Sequence, residues 1–246
     1  MATRQQRKHR SALINILVRI RRERPDLPEP EIELAAGRVV VGGARITNPR
    51  TLVRADAPLA LDTPAPLRGT RKLEAALAAF AVDVRDRVAL DLGASTGGFT
   101  IALLGAGARR VYAVDAGHGQ LLGRLRQDPR VVNLERTNLG ELDRARVPEP
   151  AALVTMDLSY LAIARAIEQL GGVGFAPDAD LIALVKPMFE LALARAPTDD
   201  ATVAAAIAHA RAGLEASGWR VMATSPSPIA GGRGAVEAFV HARRSG

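Results

Sequence analysis

VALDLGASTGGFT, residues Val88 to Thr100, decides how this chain is read. VALDL (88–92) is apolar apart from Asp91 and reads as a strand buried on both faces. A turn holding Gly93, Gly97 and Gly98 follows, and a helix is expected over 97–106. Open α/β sheets bind ligands at the carboxyl ends of their strands, where this turn falls, and glycines there admit a ligand close to the backbone. The spacing G-x-x-x-G-G is not the G-x-G-x-x-G of dinucleotide folds, and no G-K-[ST] ending marks a phosphate loop. With Asp91 leading in, the turn suits S-adenosylmethionine better than NAD, because an ammonium and a sulfonium favour a nearby carboxylate. The alternative is a tight strand–helix turn that holds no ligand.

The alternation continues outward from this turn. KLEAALAAFAV (72–82) reads as a helix with Leu73, Leu77 and Phe80 on one side. Further strands are expected at 111–115, 131–135, 151–157, 181–186, 219–225 and 236–242, and helices near 118–126, 161–170 and 199–217. Strands alternating with helices predict a mostly parallel sheet covered on both faces. The last two strands are separated only by SPIAGGRGA (227–235), too short for a helical crossover, so they should pair antiparallel. The expected fold class is α/β: a seven-strand sheet, parallel with an antiparallel C-terminal hairpin, spanning residues 72–246, which resembles the sheet of the Rossmann-like methyltransferases. Residues 63–71, with two prolines, read as a linker. Residues 1–62 read as a small α+β module.

The chain has 246 residues, 48% of them apolar and 24% charged, which excludes a wholly disordered protein. No run approaches the roughly 18 apolar residues of a membrane span. The apolar stretch Ala12 to Val18 is broken by Arg19, Arg21 and Arg22 and lacks a cleavage site, so no signal peptide is expected. The absence of cysteine excludes a disulfide scaffold, a thiol nucleophile and thiolate-bound metal, and makes a reducing cytoplasm the default compartment. Net charge is +7; residues 1–62 hold 12 basic and 7 acidic residues, residues 63–246 hold 21 and 19. A basic module on a near-neutral body points to a polyanion partner, or equally to a solvated tail. Within the module a polar tail (1–10) leads to a helix capped by Ser11, with Leu13, Ile16, Leu17 and Ile20 on one face. Prolines 25, 28 and 30 separate it from a second helix, Glu31 to Ala36, closed by Gly37. A hairpin about Gly42-Gly43 spans Arg38 to Ile46, and one more short strand runs to Leu61.

Only three of the 33 basic residues are lysine: Lys8, Lys72 and Lys186. Lysine that persists against an arginine bias suggests a need for an amine that can lose its proton. Asp115 ends the second strand of the large domain, a position suited to ribose hydroxyls or to capping a helix near His118. His118 and His209 read as structural or surface residues. Asp157 in MDLSY and Lys186 in VKP end the fourth and fifth strands and face one crevice. Standing alone, Lys186 would read as an exposed strand terminus and Glu237, in AVEAFV, as an exposed alternation position.

The stretches RGTRKLEAAL, DLGASTGGFT, VYAVDAGHGQLLGRLRQDPRV, LERTN, MDLSY, LVKPMFE and GAVEAF occur in this order and cover most of residues 68–240. In them the chain resembles the TlyA family of ribosomal RNA 2'-O-methyltransferases, historically labelled haemolysins, whose catalytic domain is similar to FtsJ. The resemblance implies S-adenosylmethionine as cofactor and a Lys–Asp–Lys–Glu tetrad at Lys72, Asp157, Lys186 and Glu237. It implies cofactor contacts at Asp91, Gly93, Ala94, Ser95, Thr96, Gly97, Gly98, Phe99, Asp115, Ala116, Asn138 and Asp157. It further implies (cytidine-2'-O)-methylation, ribosomal RNA or a ribosomal subunit as partner, no membrane and no metal. The N-terminal module resembles a divergent S-four-type RNA-binding domain in AAGRVVVGGARITNPRTLVRADAPLAL. Departures from the family pattern are Glu29, Glu31 and Glu33 on the second helix, Met188 after VKP, Ala235 and Ala238 around Glu237, and a linker without its aromatic and Ser-Arg-Gly-Gly. The competing readings are a non-catalytic RNA- or ribosome-binding protein that retains the fold and a small-molecule O-methyltransferase. A pore-forming haemolysin lacks a supporting apolar span or basic amphipathic helix.

Overall fold

Asn15 turns a short strand into a helix. Its side-chain oxygen accepts from the N–H of Leu17 (3.0 Å) and of Val18 (3.4 Å), so Leu13–Asn15 (β1) ends where Ile16–Glu23 (α1) begins. The computed structural model describes residues 12–27, 29–35, 37–62, 66–195, 197 and 199–244. The expected cap Ser11 and the tail 1–10 lie outside them, and Leu13 stands in β1 rather than on the helix face. The module continues with Pro30–Ala35 (α2), Val39–Val41 (β2), Ala44–Ile46 (β3), Leu52–Arg54 (β4) and Leu59–Leu61 (β5). Two strands, not one, thus precede the linker. β4 pairs with β1, whereas β2 pairs with β3 across Gly42-Gly43 and with β5. Ile16, Ile20, Leu34, Val39, Val41 and Val53 form the small core. Arg19 is buried beside it and bonds the carbonyls of Arg54 (2.7 Å) and Ala57 (2.5 Å).

A second compact unit begins at residue 66. Its elements are Arg68–Phe80 (α3), Val88–Leu92 (β6), Gly98–Gly105 (α4), Arg110–Asp115 (β7), Gly123–Arg126 (α5), Val131–Glu135 (β8), Ala151–Met156 (β9), Ile163–Glu168 (α6), Phe175–Val185 (β10), Pro187–Glu190 (α7), Asp200–Ala216 (α8), Trp219–Pro226 (β11) and Ala238–Arg244 (β12). The sheet order is β11-β12-β10-β9-β6-β7-β8, with β12 antiparallel to both neighbours and the other strands parallel. Alternate strand residues feed two cores. Leu90, Val154 and Leu181 pack with α6 and α8, whereas Ala89, Leu153 and Ile182 pack with α3 and α4. Strand order reverses between β6 and β9, which opens a crevice at their carboxyl ends.

β10 begins at Phe175, six residues ahead of expectation, α7 was not expected, and two further segments depart for visible reasons. The linker was expected to reach residue 71, yet α3 already starts at Arg68, because glycines let its first turn close onto α4. A Cβ on Gly98 would stand 3.0 Å from the Cα of Gly69. The helix expected over 118–126 shrinks to α5, because the Glu135 carboxylate takes the N–H of Gln120 (2.7 Å) and of Leu121 (3.1 Å) and holds 117–122 as a turn. Bonds from Asn133 and these N–H groups outweigh burial and hold the Glu135 carboxyl down at about 2.

Near the amino end of β6, away from the crevice, Asp180 gathers a buried cluster. Arg87 donates to it at 2.7 Å, Arg243 at 3.2 Å, and His241 Nε2 lies at 2.7 Å. Burial alone would raise this carboxyl, but bonds from His241 and Arg87, together with the charge of Arg87, prevail and hold it at about 2 against an ordinary 3.8. A carboxyl depressed on folding stabilises the fold above its ordinary pKa, and that contribution fades as pH falls from about 3.8 towards 2. Asp180→Asn should therefore cost about 2 kcal/mol near pH 7, with the deficit against wild type closing as pH drops through that window. Urea denaturation across pH checks this.

Candidate active site

The loop after β6 is built by steric exclusion. Gly93 has φ +82°, and a Cβ there would stand 2.6 Å from the carbonyl oxygen of Asp157. Asp157 in turn donates its N–H to Leu92 at 3.0 Å, so the end of β9 lies hard against the start of the loop. Gly97, φ +96°, seats the N-terminus of α4 on Leu121 and Leu125, where a Cβ would collide with both. Gly93, Ala94, Ser95, Thr96, Gly98 and Phe99 line a cavity of about 320 Å³ together with Asp157 and the first residues of α3, Leu67 to Gly69.

Asp91 is not in that lining. It is 0% exposed and accepts from the hydroxyls of Thr100 (2.6 Å) and Thr155 (2.9 Å). Burial pushes its carboxyl up to about 6 against these two bonds, with the charge of Asp157 adding to the rise. Through these bonds Asp91 ties β6, α4 and β9 together beneath the loop. Thr100 and Thr155, which sequence reasoning did not single out, complete this tie.

Asp115 ends β7 as expected. One carboxylate oxygen accepts from Ser95 N (2.8 Å) and the other from Gly117 N (2.7 Å). Each oxygen keeps a further lone pair, enough for a vicinal pair of hydroxyls. Ala116 is exposed beside it; Asn138 is also exposed and donates to Glu141 at 2.8 Å. Tyr160 projects at the rim, 59% exposed, and its hydroxyl is shifted upward by partial burial and by the charge of Asp115.

The four tetrad positions form two ion pairs. Lys186 Nζ lies 2.6 Å from Asp157 Oδ1 and donates to Ser159 Oγ at 2.7 Å. Lys72, buried on α3, pairs with Glu237, also buried, so Glu237 is not the exposed position that alternation alone would give. Lys186 and Glu237 come next beyond the last rung of the β10–β12 ladder, Val185 opposite Ala238. Both line a second cavity of about 620 Å³ with Ser159, Met188, Phe189 and Val236. The Lys186–Asp157 pair thus stands where the two cavities adjoin, with one partner lining each. Buried Glu190 braces this pair from behind. Its carboxylate takes the N–H of Ile163 (2.8 Å), at the start of α6, and lies 2.8 Å from His209 Nδ1. Because Lys186 caps α7 and α6 follows Ser159, Glu190 links the segments that carry both partners. Glu190 and Ser159 sit inside motifs legible in the sequence, but only the fold shows what they touch.

Charge in the N-terminal module is largely neutralised within it. Of the eight arginines between residues 12 and 62, seven are ion-paired to carboxylates of that module. Arg50 has no carboxylate partner among the described residues. The remaining basic residues of the module, Arg4, Arg7, Lys8 and Arg10, lie outside the described residues.

A strand order that reverses beside a glycine loop, with antiparallel β12 set between β10 and the edge strand β11, gives the second unit a Rossmann-like sheet, and its family match makes it a methyltransferase domain. The model of the FtsJ-like methyltransferase family matches residues 66–244, and the chain belongs to that family. The 16S/23S rRNA (cytidine-2'-O)-methyltransferase TlyA of Mycobacterium tuberculosis is 39% identical over 220 residues, 85% of this chain and 81% of that protein. Hemolysin A of Brachyspira hyodysenteriae is 32% identical, over 71% of this chain and 75% of its own length. Among solved structures, a Streptococcus thermophilus protein provisionally labelled a hemolysin superposes with a TM-score of 0.69 at 29% identity, covering 95% of this chain and 89% of that one. Among the described residues no helix is long and apolar enough to cross a membrane.

The close approach at Gly93 predicts an unequal cost of two alanines. Gly93 and Gly119 both have positive φ, but a Cβ on Gly119 meets nothing within 4 Å. Gly119→Ala should cost about 1 kcal/mol of backbone strain, and Gly93→Ala at least about 1 kcal/mol more because the Asp157 carbonyl must move. Urea denaturation of the two variants measures the difference.

Proposed function

We propose that this chain transfers a methyl group from S-adenosylmethionine to a ribose 2'-hydroxyl of ribosomal RNA, as a (cytidine-2'-O)-methyltransferase. The observation that carries the reading is the ion pair of Lys186 and Asp157 where a glycine-loop cavity meets a larger one. Family membership and the 39% identity to a named rRNA methyltransferase support it. The residues fit the cofactor on their own chemistry: Asp115 retains acceptor capacity for two ribose hydroxyls, and Gly93 to Thr96 offer backbone without bulk.

When bound, S-adenosylmethionine supplies an electrophilic methyl on a sulfonium. A ribose hydroxyl is a poor nucleophile until its proton is drawn away. Lys186, held by Asp157 and Ser159, is the group placed to receive it: the ammonium first gives one proton to solvent, and the free amine then takes the hydroxyl proton and becomes ammonium again as the oxygen takes the methyl. Asp157 then stabilises the ammonium formed. Lys72 carries its own carboxylate, Glu237, so its charge does not bear on Lys186 unopposed. This pair shapes the wall of the larger cavity, and positioning accounts for the rest of the rate. The N-terminal module, in this reading a divergent S-four-type domain, supports docking on RNA. Because seven of its eight described arginines are paired, the basic residues at 4–10, with Arg50, are the source of its attraction for phosphate.

Two measurements test these roles. In single-turnover methyl transfer to ribosomal RNA at saturating cofactor, Lys186→Arg should lose roughly 10²–10⁴-fold, nearly as much as Lys186→Ala, because guanidinium cannot act as a base. Cofactor binding by calorimetry should survive both changes and weaken strongly in Asp115→Ala. A Lys186→Arg enzyme within a few-fold of wild type would refute proton transfer to Lys186. Separately, replacing Arg4, Arg7, Lys8 and Arg10 by Gln should weaken RNA binding and flatten its dependence on salt, with cofactor affinity unchanged.

A further inference from the structure

The cavity beneath the glycine loop has two ionisable residues in its lining, of opposite sign: Asp157 and Arg68. Asp157 is committed to Lys186 at 2.6 Å. Arg68 stands exposed at the start of α3 with no carboxylate partner among the described residues. Its Nη2 donates to the backbone carbonyls of Ala230 and Gly231, in the loop that leads to Glu237. Those carbonyls fix the direction of the guanidinium but leave its charge uncompensated. A fork-shaped cation, aimed by its own fold and lining a cavity with no anion to meet it, is a site for a carboxylate.

The rest of the cavity says which carboxylate this is, given the cofactor reading above, on which this inference rests. The nucleoside end is anchored by Asp115, at the end of β7, and Asp115 is not part of this lining. The transferable methyl must face the Lys186–Asp157 pair. The amino-acid end of the same molecule is then left on the α3 side, beside Leu67, Arg68 and Gly69. The Leu67 side chain carries no hydrogen-bonding group, and Gly69 has no side chain. We infer that Arg68 binds the α-carboxylate of the cofactor's amino-acid end and so fixes how far the sulfonium reaches towards Lys186.

Competing roles for Arg68 are separable by ligand. S-adenosylmethionine carries the carboxylate, and its decarboxylated analogue keeps the sulfonium and ammonium but lacks it. Calorimetry on the full chain, wild type against Arg68→Ala and Arg68→Lys, should show Arg68→Ala weakening S-adenosylmethionine by 10- to 100-fold, the scale of a lost charged hydrogen-bonding partner. The same change should leave the decarboxylated analogue within about twofold, since that ligand offers Arg68 nothing to bind. Arg68→Lys should fall between, because an ammonium keeps the charge without the fork. Equal weakening of both ligands would overturn the inference and make Arg68 only a brace for the 230–231 loop. No weakening of either, with RNA binding impaired instead, would overturn it in favour of a contact with the nucleic acid. Wild type that binds neither ligand would overturn the cofactor reading and this inference with it.

Discussion

At 2.6 Å, Lys186 and Asp157 join the ends of two neighbouring parallel strands, and much of the surrounding architecture serves to hold that contact. β9 delivers Asp157 against Gly93, where no side chain is tolerated. β10 runs to Val185 and releases Lys186 into α7, whose last residue, Glu190, reaches back to the start of α6. Asp91 lies beneath the loop and ties β6 to β9 through Thr155. A carboxylate so deeply buried is costly unless its lone pairs are used, and the two threonine hydroxyls use them. The result is a fixed contact between a cationic amine and its counter-ion, with one partner lining each of two cavities.

Two lysine–carboxylate pairs, rather than a group of four mutually acting charges, change the electrostatic logic of the site. Like-charge repulsion from Lys72 is an attractive way to prepare Lys186 for proton transfer, but Glu237 stands against Lys72 and offsets it. Buried pairs of this kind contribute little net stability, and removing one partner leaves an uncompensated charge. Their value lies in geometry: Lys72 and Glu237 fix α3 against the segment that leads into β12, and Arg68 fixes the same helix against the preceding loop at Ala230 and Gly231.

Much of this was legible in the sequence. Strand VALDL, the glycine spacing and the brief connection at 227–235 gave the parallel sheet and its antiparallel closing strand, because periodicity and loop length constrain topology strongly. Other features depended on partners far away in the chain. α5 is short because Glu135 caps the turn at Gln120, and α3 begins early because Gly69 meets Gly98. Asp91 is legible in its motif, but its bonds to Thr100 and Thr155, the latter 64 residues away, are not. The basic balance of residues 1–62 was a correct count, but charge counts do not show that seven of the eight described arginines are already paired.

The central claim is that the Lys186–Asp157 contact draws the proton from a ribose hydroxyl of RNA as its oxygen takes the methyl of a sulfonium. The most direct measurement is to incubate the protein with methyl-labelled S-adenosylmethionine and unmodified ribosomal subunits, digest the RNA to nucleosides and identify the labelled product by mass spectrometry. The account predicts label in 2'-O-methylcytidine. Label on a nucleobase, or no transfer to RNA by a protein that binds the cofactor, would contradict it.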